Sequence, residues 1–223
     1  PTGFDGNLFE NPNNILGLEY TKAILKNNAD IEILPLEREA IHGDDTLRKK
    51  ITSASSIRKA IGNTRKGKLK GVLPDFVYDD LPDVLPDMDK PLMTTLLTSN
   101  PEEMKKVPDC TEGLENRIKY LCEVNTDYKT ALNKITTKRY TETRIRRICV
   151  NNMLKITDRL VKDALTDDLY FKVLATDKSG LEVIGELKNK AKYPFLTRKS
   201  EYSLKDTAKE VFEKDALSCK LYS

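Results

Sequence analysis

The chain has 223 residues, of which 39% are hydrophobic and 33% charged, and its formal net charge is only +3. Such a composition is typical of a folded chain of one or two domains, and the weak net charge does not by itself indicate nucleic-acid binding. No stretch approaches the ~18 consecutive apolar residues of a membrane span, so we expect no membrane partner. The four cysteines are scattered and there is one histidine, which predicts a cytoplasmic setting and no protein-bound metal site.

Residues 1–72 are interpreted as the C-terminal part of a nucleotide-binding α/β domain. Apolar residues at helical spacing predict a helix over 15–25, and the alternating segment 31–36 predicts a strand, which Pro35 places at a sheet edge or end. A serine-rich turn follows, and then a helix from about Ser55. A strand, a loop and a helix N-terminus in this order are where an open α/β sheet places an anion site.

The serine-rich turn has the clearest chemistry in the chain. Residues 53–61 read Ser-Ala-Ser-Ser-Ile-Arg-Lys-Ala-Ile. Ser53, Ser55 or Ser56 can cap the helix start while hydroxyls and backbone N–H groups face an anion. Arg58, one turn inside the helix, adds a planar fork of donors suited to phosphate oxygens. Helix capping without any further function is the simpler alternative.

Further along the chain, a basic run over 65–70 is followed by aspartates among several prolines, which predicts a linker over 73–91 because such proline density forbids a continuous helix. Residues 92–223 are interpreted as a mainly helical domain. Its helices are predicted to start at Asn100-Pro101-Glu102-Glu103 and to cover 112–124, 141–165, 181–190 and 204–217. Short strands are predicted over 169–174 and 193–197, and a turn over 177–180.

Residues 138–147 (Lys-Arg-Tyr-Thr-Glu-Thr-Arg-Ile-Arg-Arg) are a dense basic run at the start of the longest predicted helix. Arg144 and Arg146 lie about 100° either side of the apolar Ile145, while Arg147 points outward. Five cations with a tyrosine among them suit a phosphate backbone with a base or ribose against the ring. A solvated helix face is the ordinary alternative for a charge run. We interpret the run as an RNA contact, with residues 65–70 as a second candidate.

Two motifs taken together resemble one family. Residues 12–20 (Pro-Asn-Asn-Ile-Leu-Gly-Leu-Glu-Tyr), followed from residue 53 by Ser-Ala-Ser-x-Ile-Arg-Lys-Ala, are similar to the bacterial tRNA(Met) cytidine acetate ligases, nucleotidyltransferases of the HIGH type. Residues 112–118 and 137–144 also resemble the C-terminal domain of that family. The resemblance implies an α/β remnant of a Rossmann-like nucleotidyltransferase domain followed by a mainly α-helical (α+β) domain that binds tRNA.

The resemblance also implies site residues. An asparagine of the Pro-Asn-Asn motif contacts ATP in the family, and an arginine of the family's ATP site corresponds to Arg38. The ATP-binding set is therefore Asn13, Asn14, Arg38, Ser53, Ser55, Ser56 and Arg58. The tRNA-binding set is Lys138, Arg139, Tyr140, Arg144, Arg146 and Arg147. His42 lies where the family often has Tyr-His-Asp, but a lone loop histidine is more often solvated, so no catalytic residue is assigned.

The activity implied by the resemblance belongs to the intact protein. ATP, with Mg²⁺ bound to it, activates acetate to acetyl-adenylate, and the acetyl group passes to N4 of the wobble cytidine of elongator tRNA(Met). The family binds the triphosphate with a His-x-Gly-His loop, which a chain with one histidine cannot contain. We therefore expect the 223 residues to be the C-terminal part of a longer protein and to be inactive alone.

Two other functions fit parts of the same pattern. A nucleotidylyl transferase acting on a small phosphate ester would use the same ATP motifs but needs no large basic helical domain. A non-catalytic RNA-binding module would need the basic helix and not the Ser–Arg cluster. The residues leave the acyl donor, the tRNA identity and the oligomeric state open.

Overall fold

The structure, a computed structural model, describes residues 12–36, 52–62, 66–83, 86–197 and 204–222. It divides into two compact units, Pro1–Leu85 and Pro86–Ser223. This division lies inside the segment 73–91 that the sequence suggests as a linker, while the exact domain boundaries stay a prediction. Two residues singled out from the sequence, Arg38 and His42, lie outside the described residues.

The first described element is helix α1 (Pro12–Lys26), which confirms the helix predicted over 15–25 and starts earlier. Proline suits the first helical position because its missing N–H has no intrahelical partner there. The strand predicted over 31–36 is wrong, because these residues belong to no helix or strand. A strand needs a ladder partner, and none of the described segments pairs with this one.

The small core of the first unit lies between α2 (Ala54–Gly62) and a short 3-10 helix, η1 (Lys66–Leu69). Ala60, Ile61 and Leu69 are buried there. The proline-rich segment that follows contains only the five-residue helix α3 (Asp75–Asp79). Lys66 of η1 contacts the end of this segment. Its ammonium donates to the Leu81 carbonyl at 2.5 Å and pairs with the Asp83 carboxylate at 3.1 Å.

The second unit is mainly helical, as predicted. Its helices are α4 (Asp89–Thr98), α5 (Pro101–Met104), α6 (Leu114–Glu123), α7 (Tyr128–Ile135), α8 (Glu142–Leu154), α9 (Asp158–Thr166), α10 (Lys178–Leu187) and α11 (Asp206–Tyr222). The core lies among α4, α6, α7 and α8, where Leu96, Ile118, Leu132 and Ile145 are buried. Burial of apolar side chains of this size stabilises each by about 1.5–3 kcal/mol relative to exposure.

Local caps explain where several helices begin. The predicted start of α5 is confirmed, because the Asn100 side chain accepts a hydrogen bond from the Glu102 N–H at 2.9 Å. Helix α7 was not predicted, although Asp127 signals it: its carboxylate accepts the Thr130 N–H at 2.9 Å. The predicted turn over 177–180 is wrong, because an aspartate cap starts a helix there. Asp177 accepts the Gly180 N–H at 2.8 Å and starts α10 at Lys178.

The single helix predicted over 141–165 is two helices. Lys155 ends α8 in the left-handed conformation, with φ of 54°. Thr157 then caps α9, since its hydroxyl accepts the Leu160 N–H at 3.1 Å. The apolar spacing of Ile156 and Leu160 continues across the break, so periodicity alone does not reveal it, whereas the Thr157 cap does.

The predicted short strands are confirmed as β1 (Phe171–Lys172) and β2 (Phe195–Leu196). They pair in parallel, with Phe171 opposite Phe195, and the two rings stack with centroids 5.1 Å apart. The C-terminal helix predicted over 204–217 is also confirmed, as α11. None of the helices in the described parts of the chain has the length and apolar character needed to cross a membrane.

Candidate functional site

The start of α2 is built by two buried serines. The Ser53 hydroxyl accepts a hydrogen bond from the Ser56 N–H at 3.1 Å and lies 2.8 Å from the Ser56 hydroxyl. The Ser53 carbonyl accepts the first helical bond, from the Ile57 N–H, at 3.2 Å. Ser53 and Ser56 are 8% and 1% exposed. Their hydroxyls therefore fix where and at what angle the helix begins.

The other two residues of the cluster face outward. Ser55 and Arg58 are exposed, and positions three apart lie on the same face of a helix. Helix geometry leaves the first N–H groups, here those of Ala54 and Ser55, without an intrahelical acceptor, and the helix dipole adds partial positive charge. Within the described residues, no hydrogen bond or ion pair engages the Arg58 guanidinium. The exposed side of this N-terminus is thus suited to an anion.

Thr52, which precedes the cap, was not singled out from the sequence. Its side-chain oxygen is buried and, in the described part of the structure, has no hydrogen-bond partner. Buried hydroxyls are usually satisfied by protein, water or ligand. A threonine before a serine cap carries no sequence signal of this kind, because only the packing shows that the oxygen is buried.

Asn13 and Asn14 lie in the first turn of α1 and are exposed. Among the described elements, α1 and α2 share no extensive contact. The geometry on its own therefore does not join the asparagines to Ser55 and Arg58.

The basic run of residues 138–147 is largely engaged by other groups of the protein. Arg139 pairs with the Glu112 carboxylate at 2.6 Å, and the Tyr140 hydroxyl donates to the same carboxylate at 3.3 Å. The hydrogen bond from Arg139 lowers the pKa of Glu112 below its usual value. The Tyr140 ring lies close to two guanidinium carbons, 5.7 Å from that of Arg139 and 5.3 Å from that of Arg144. These are cation–π distances, so part of the ring surface already contacts cations.

The remaining arginines are held in a similar way. Arg144 donates to the Asp109 carbonyl from Nη2 at 2.7 Å, and Arg147 donates to the Asp109 carboxylate from Nη2 at 3.0 Å. Arg146 pairs with Glu142, one turn away on α8, at 2.7 Å. Lys138 is exposed and, in the part of the chain that the structure describes, has no ion-pair partner. The sequence alone did not reveal the roles of Asp109 and Glu112.

Other features of the second unit do not involve the predicted site residues. A cavity of about 450 Å³ lies beside α10 and is lined by Leu174, Leu181 and Thr197, among others. An apolar groove of about 290 Å³ lies between α9 and α11. Among the described residues, no group of three or more His, Cys, Asp or Glu side chains is arranged to hold a metal ion.

Several curated relatives of the chain share one name. It is 30% identical over 221 residues to the tRNA(Met) cytidine acetate ligase of Caldanaerobacter subterraneus subsp. tengcongensis, an alignment that covers 95% of this chain and 54% of the relative. It is 31% identical over 230 residues to the protein of the same name from Alkaliphilus metalliredigens, covering 97% of this chain and 54% of the relative. The chain thus spans about half the length of these relatives.

Solved structures share the fold. The apo structure of Thermotoga maritima TmcAL superposes with a TM-score of 0.78 at 25% identity, over 95% of this chain and 54% of that one. The structure of the same protein bound with alpha-thio ATP gives a TM-score of 0.76 at 24% identity, over 95% of this chain and 53% of that one. These matches confirm the predicted fold class, a Rossmann-like remnant followed by a mainly helical domain.

A family model described as HIGH Nucleotidyl Transferase matches residues 3–223, which is nearly the whole chain. The match includes both motifs that carry the resemblance, residues 12–20 and 53–61. It also includes the basic run and the helices of the second unit. The chain therefore belongs to the HIGH nucleotidyl transferase family.

Proposed function

We propose that the protein containing these residues is a cytoplasmic tRNA(Met) cytidine acetate ligase. It activates acetate with ATP and acetylates N4 of the wobble cytidine of elongator tRNA(Met). The name shared by the curated relatives supports this activity. The alpha-thio ATP bound by a protein of the same fold supports ATP as the nucleotide.

The observation that carries the proposal is that the serine–arginine cluster at the start of α2 has two buried capping residues and two exposed residues. Ser53 and Ser56 are buried and cap the helix, whereas Ser55 and Arg58 are exposed on one face beside the N-terminal N–H groups. A cap alone requires only the buried pair. The exposed hydroxyl, the guanidinium fork and the helix N-terminus together match the needs of a phosphate group. Asn13 and Asn14 complete the proposed ATP contacts, with Arg38.

The proposed reaction has two steps, and neither requires a covalent bond to a protein side chain. A carboxylate oxygen of acetate attacks the α-phosphorus of ATP, and the bond to the pyrophosphate oxygen breaks. The N4 amine of cytidine then attacks the acetyl carbonyl, AMP leaves with the bridging oxygen, and N4 loses a proton. Both steps depend on positioning and on stabilising negative charge rather than on a covalent protein nucleophile. Arg58 and the α2 N-terminus supply positive charge to the phosphates, and Mg²⁺ enters with the substrate ATP.

The tRNA contact is assigned to the basic run, residues 138–147. Arg139 and Arg147 remain 68% and 59% exposed despite their ion pairs, so solvent and ligands still reach their guanidinium groups. Arginine forks bind phosphate oxygens, and an A-form helix is recognised mainly through its backbone. The run therefore binds the tRNA through its phosphate backbone and positions it, and it does not recognise the base sequence.

Product analysis tests the proposal. The intact protein is incubated with ATP, labelled acetate and a tRNA(Met) transcript, and N4-acetylcytidine is quantified after digestion. Acetylated cytidine that depends on both ATP and acetate is the expected result. A dinucleotide formed from a small phosphate ester, with no acetylation, would favour the simpler nucleotidylyl transferase. RNA binding without turnover of ATP would favour a non-catalytic module.

A further inference from the structure

A loop of the second unit, residues 109–112, lies against the basic run and presents two carboxylates to it. The Asp109 carboxylate accepts two hydrogen bonds from Arg147, from Nη2 at 3.0 Å and from Nε at 3.3 Å. The Glu112 carboxylate binds Arg139 at 2.6 Å through one oxygen and the Tyr140 hydroxyl at 3.3 Å through the other. We call residues 109–112 the acidic loop.

The backbone of the acidic loop is held in an unusual conformation. Asp109 and Glu112 have φ of 64° and 63°, in the left-handed region that residues other than glycine rarely adopt. Arg144 secures it, since its guanidinium donates to the Asp109 carbonyl at 2.7 Å and to the Thr111 hydroxyl at 3.3 Å. Such conformations persist only where the surroundings impose them. The two carboxylates are therefore held in place against the guanidinium groups.

The charges on this face nearly balance. The run 138–147 carries five cations, and three carboxylates are paired with them: Asp109, Glu112 and Glu142. The formal surplus is thus two positive charges. Phosphate binding gains free energy from the release of counterions condensed on the nucleic acid. Where the cations already form ion pairs with the protein's own carboxylates, those ion pairs have to break before phosphates can bind, which lowers the net gain in free energy.

The carboxylates also use the same donors that a phosphate would use. A guanidinium fork binds carboxylates and phosphates with the same donors, and Nε and Nη2 of Arg147 both donate to one oxygen of Asp109, Oδ2. We propose that Asp109 and Glu112 compete with RNA phosphates for the arginines of the run and so lower its affinity for polyanions in general. This inference depends on the proposed tRNA contact at residues 138–147.

The same contacts could instead position the guanidinium groups for RNA, and that role predicts the opposite sign. The test is the double variant Asp109→Asn/Glu112→Gln, which keeps side-chain size and removes both charges. Asparagine tolerates the left-handed conformation at 109. Binding of a tRNA(Met) transcript is measured by filter retention across a salt series. We expect higher affinity and a log–log salt slope steeper by about 0.7–0.9 for each phosphate gained.

The matched control is Glu102→Gln/Glu103→Gln. It removes the same charge from α5, where both carboxylates pair with lysines of their own segment at 2.6 and 2.5 Å. Circular dichroism verifies that every variant is folded at the assay temperature. An equal gain in the control, or an unchanged or reduced affinity of Asp109→Asn/Glu112→Gln, overturns competition by the acidic loop.

A third variant separates this inference from the proposed function. Arg146→Ala/Arg147→Ala should lose affinity if the run binds tRNA at all. When that variant loses affinity and the acidic-loop variant gains none, only the competition is wrong. When neither variant changes binding, the proposed tRNA contact is itself wrong, and the competition with it.

Discussion

Asn152 and Ser99 form a buried hydrogen bond between α8 and the end of α4, with the Asn152 amide donating to the Ser99 hydroxyl at 2.8 Å. Both side chains are buried, and Ser99 in turn donates to the Thr95 carbonyl at 2.7 Å. This pair joins two helices of the main core through polar side chains that are largely shielded from water. Removing one partner leaves the other without its bond.

Ser99→Ala should therefore lower the free energy of unfolding by about 1–3 kcal/mol, the cost of an unsatisfied buried polar group. Thr98→Ala is the matched control, because Thr98 is exposed and its hydroxyl also bonds within α4. That change should stay within about 0.5 kcal/mol. Urea unfolding of both variants measures the difference in the free energy of unfolding. Equal losses in the two variants would show that the buried hydrogen bond stabilises the fold no more than an exposed one.

Arg58→Ala in the intact protein should greatly weaken ATP turnover while leaving the fold unchanged. A charged phosphate contact contributes about 1.5–3 kcal/mol, which is a loss of roughly tenfold to over a hundredfold. Acetate-dependent exchange of labelled pyrophosphate into ATP measures it. Lys68→Ala is the control, since it removes an exposed cation from neighbouring η1. Unchanged kinetics for Arg58→Ala would reduce the serine–arginine cluster to helix capping.

The 223-residue chain alone should not activate acetate. The resemblance implies a His-x-Gly-His loop that holds the triphosphate, and a chain with one histidine cannot provide it. The same exchange assay is run on this chain beside a buffer blank, with the intact protein as the positive control. Exchange above the blank that requires acetate would contradict the prediction.

Arg146→Ala/Arg147→Ala should reduce the salt dependence of tRNA binding. Each lost phosphate contact lowers the log–log slope by about one, and the buried stripe that includes Ile145 and Ile148 is untouched, so stability should hardly change. Lys162→Ala/Lys209→Ala, on α9 and α11, removes two exposed cations that also pair one turn away. Should both double variants bind alike across the salt series, residues 65–70 become the next candidate contact.

The thiols should differ sharply in reactivity. Cys110, Cys122 and Cys149 are buried, and burial raises the pKa of their thiols to about 11, 11 and 12, whereas Cys219 is exposed. At pH 8 one thiol should react quickly with a colorimetric thiol reagent, and the other three only after denaturation. Cys219→Ser should abolish the fast phase. Three fast thiols in the native chain would contradict the packing of the core.

Because burial raises the pKa of these three thiols, the free energy of unfolding should also depend on pH in the alkaline range. The unfolded thiols ionise near 9, while the folded thiols resist ionisation up to about 11 or 12. The stability that the neutral thiols provide is therefore complete below pH 9 and is lost as the pH rises from there towards 11. Unfolding free energies at pH 8 and pH 10 should show the decrease, and Cys149→Ala should make it smaller.

Local signals predicted much of the helical structure. The Asn100-Pro101 start of α5 and the Ser53 cap of α2 each depend on side chains that bond to backbone a few residues away. Asp127 and Thr157 carry the same kind of local signal for α7 and for the break between α8 and α9, whereas hydrophobic periodicity alone shows neither.

The sequence by itself determined the family and the fold class and indicated the serine–arginine cluster of residues 53–58, because motifs and helical spacing need no distant partner. The structure decided which serines of that cluster are buried, Ser53 and Ser56, and that Ser55 is exposed. Tertiary structure decided that residues 31–36 form no strand, since a strand exists only with a ladder partner. It also decided that Arg139, Arg144 and Arg147 are bound by the acidic loop. Residues far apart in the chain meet there only because α6 and α8 pack around a common core, and no local pattern encodes such a contact.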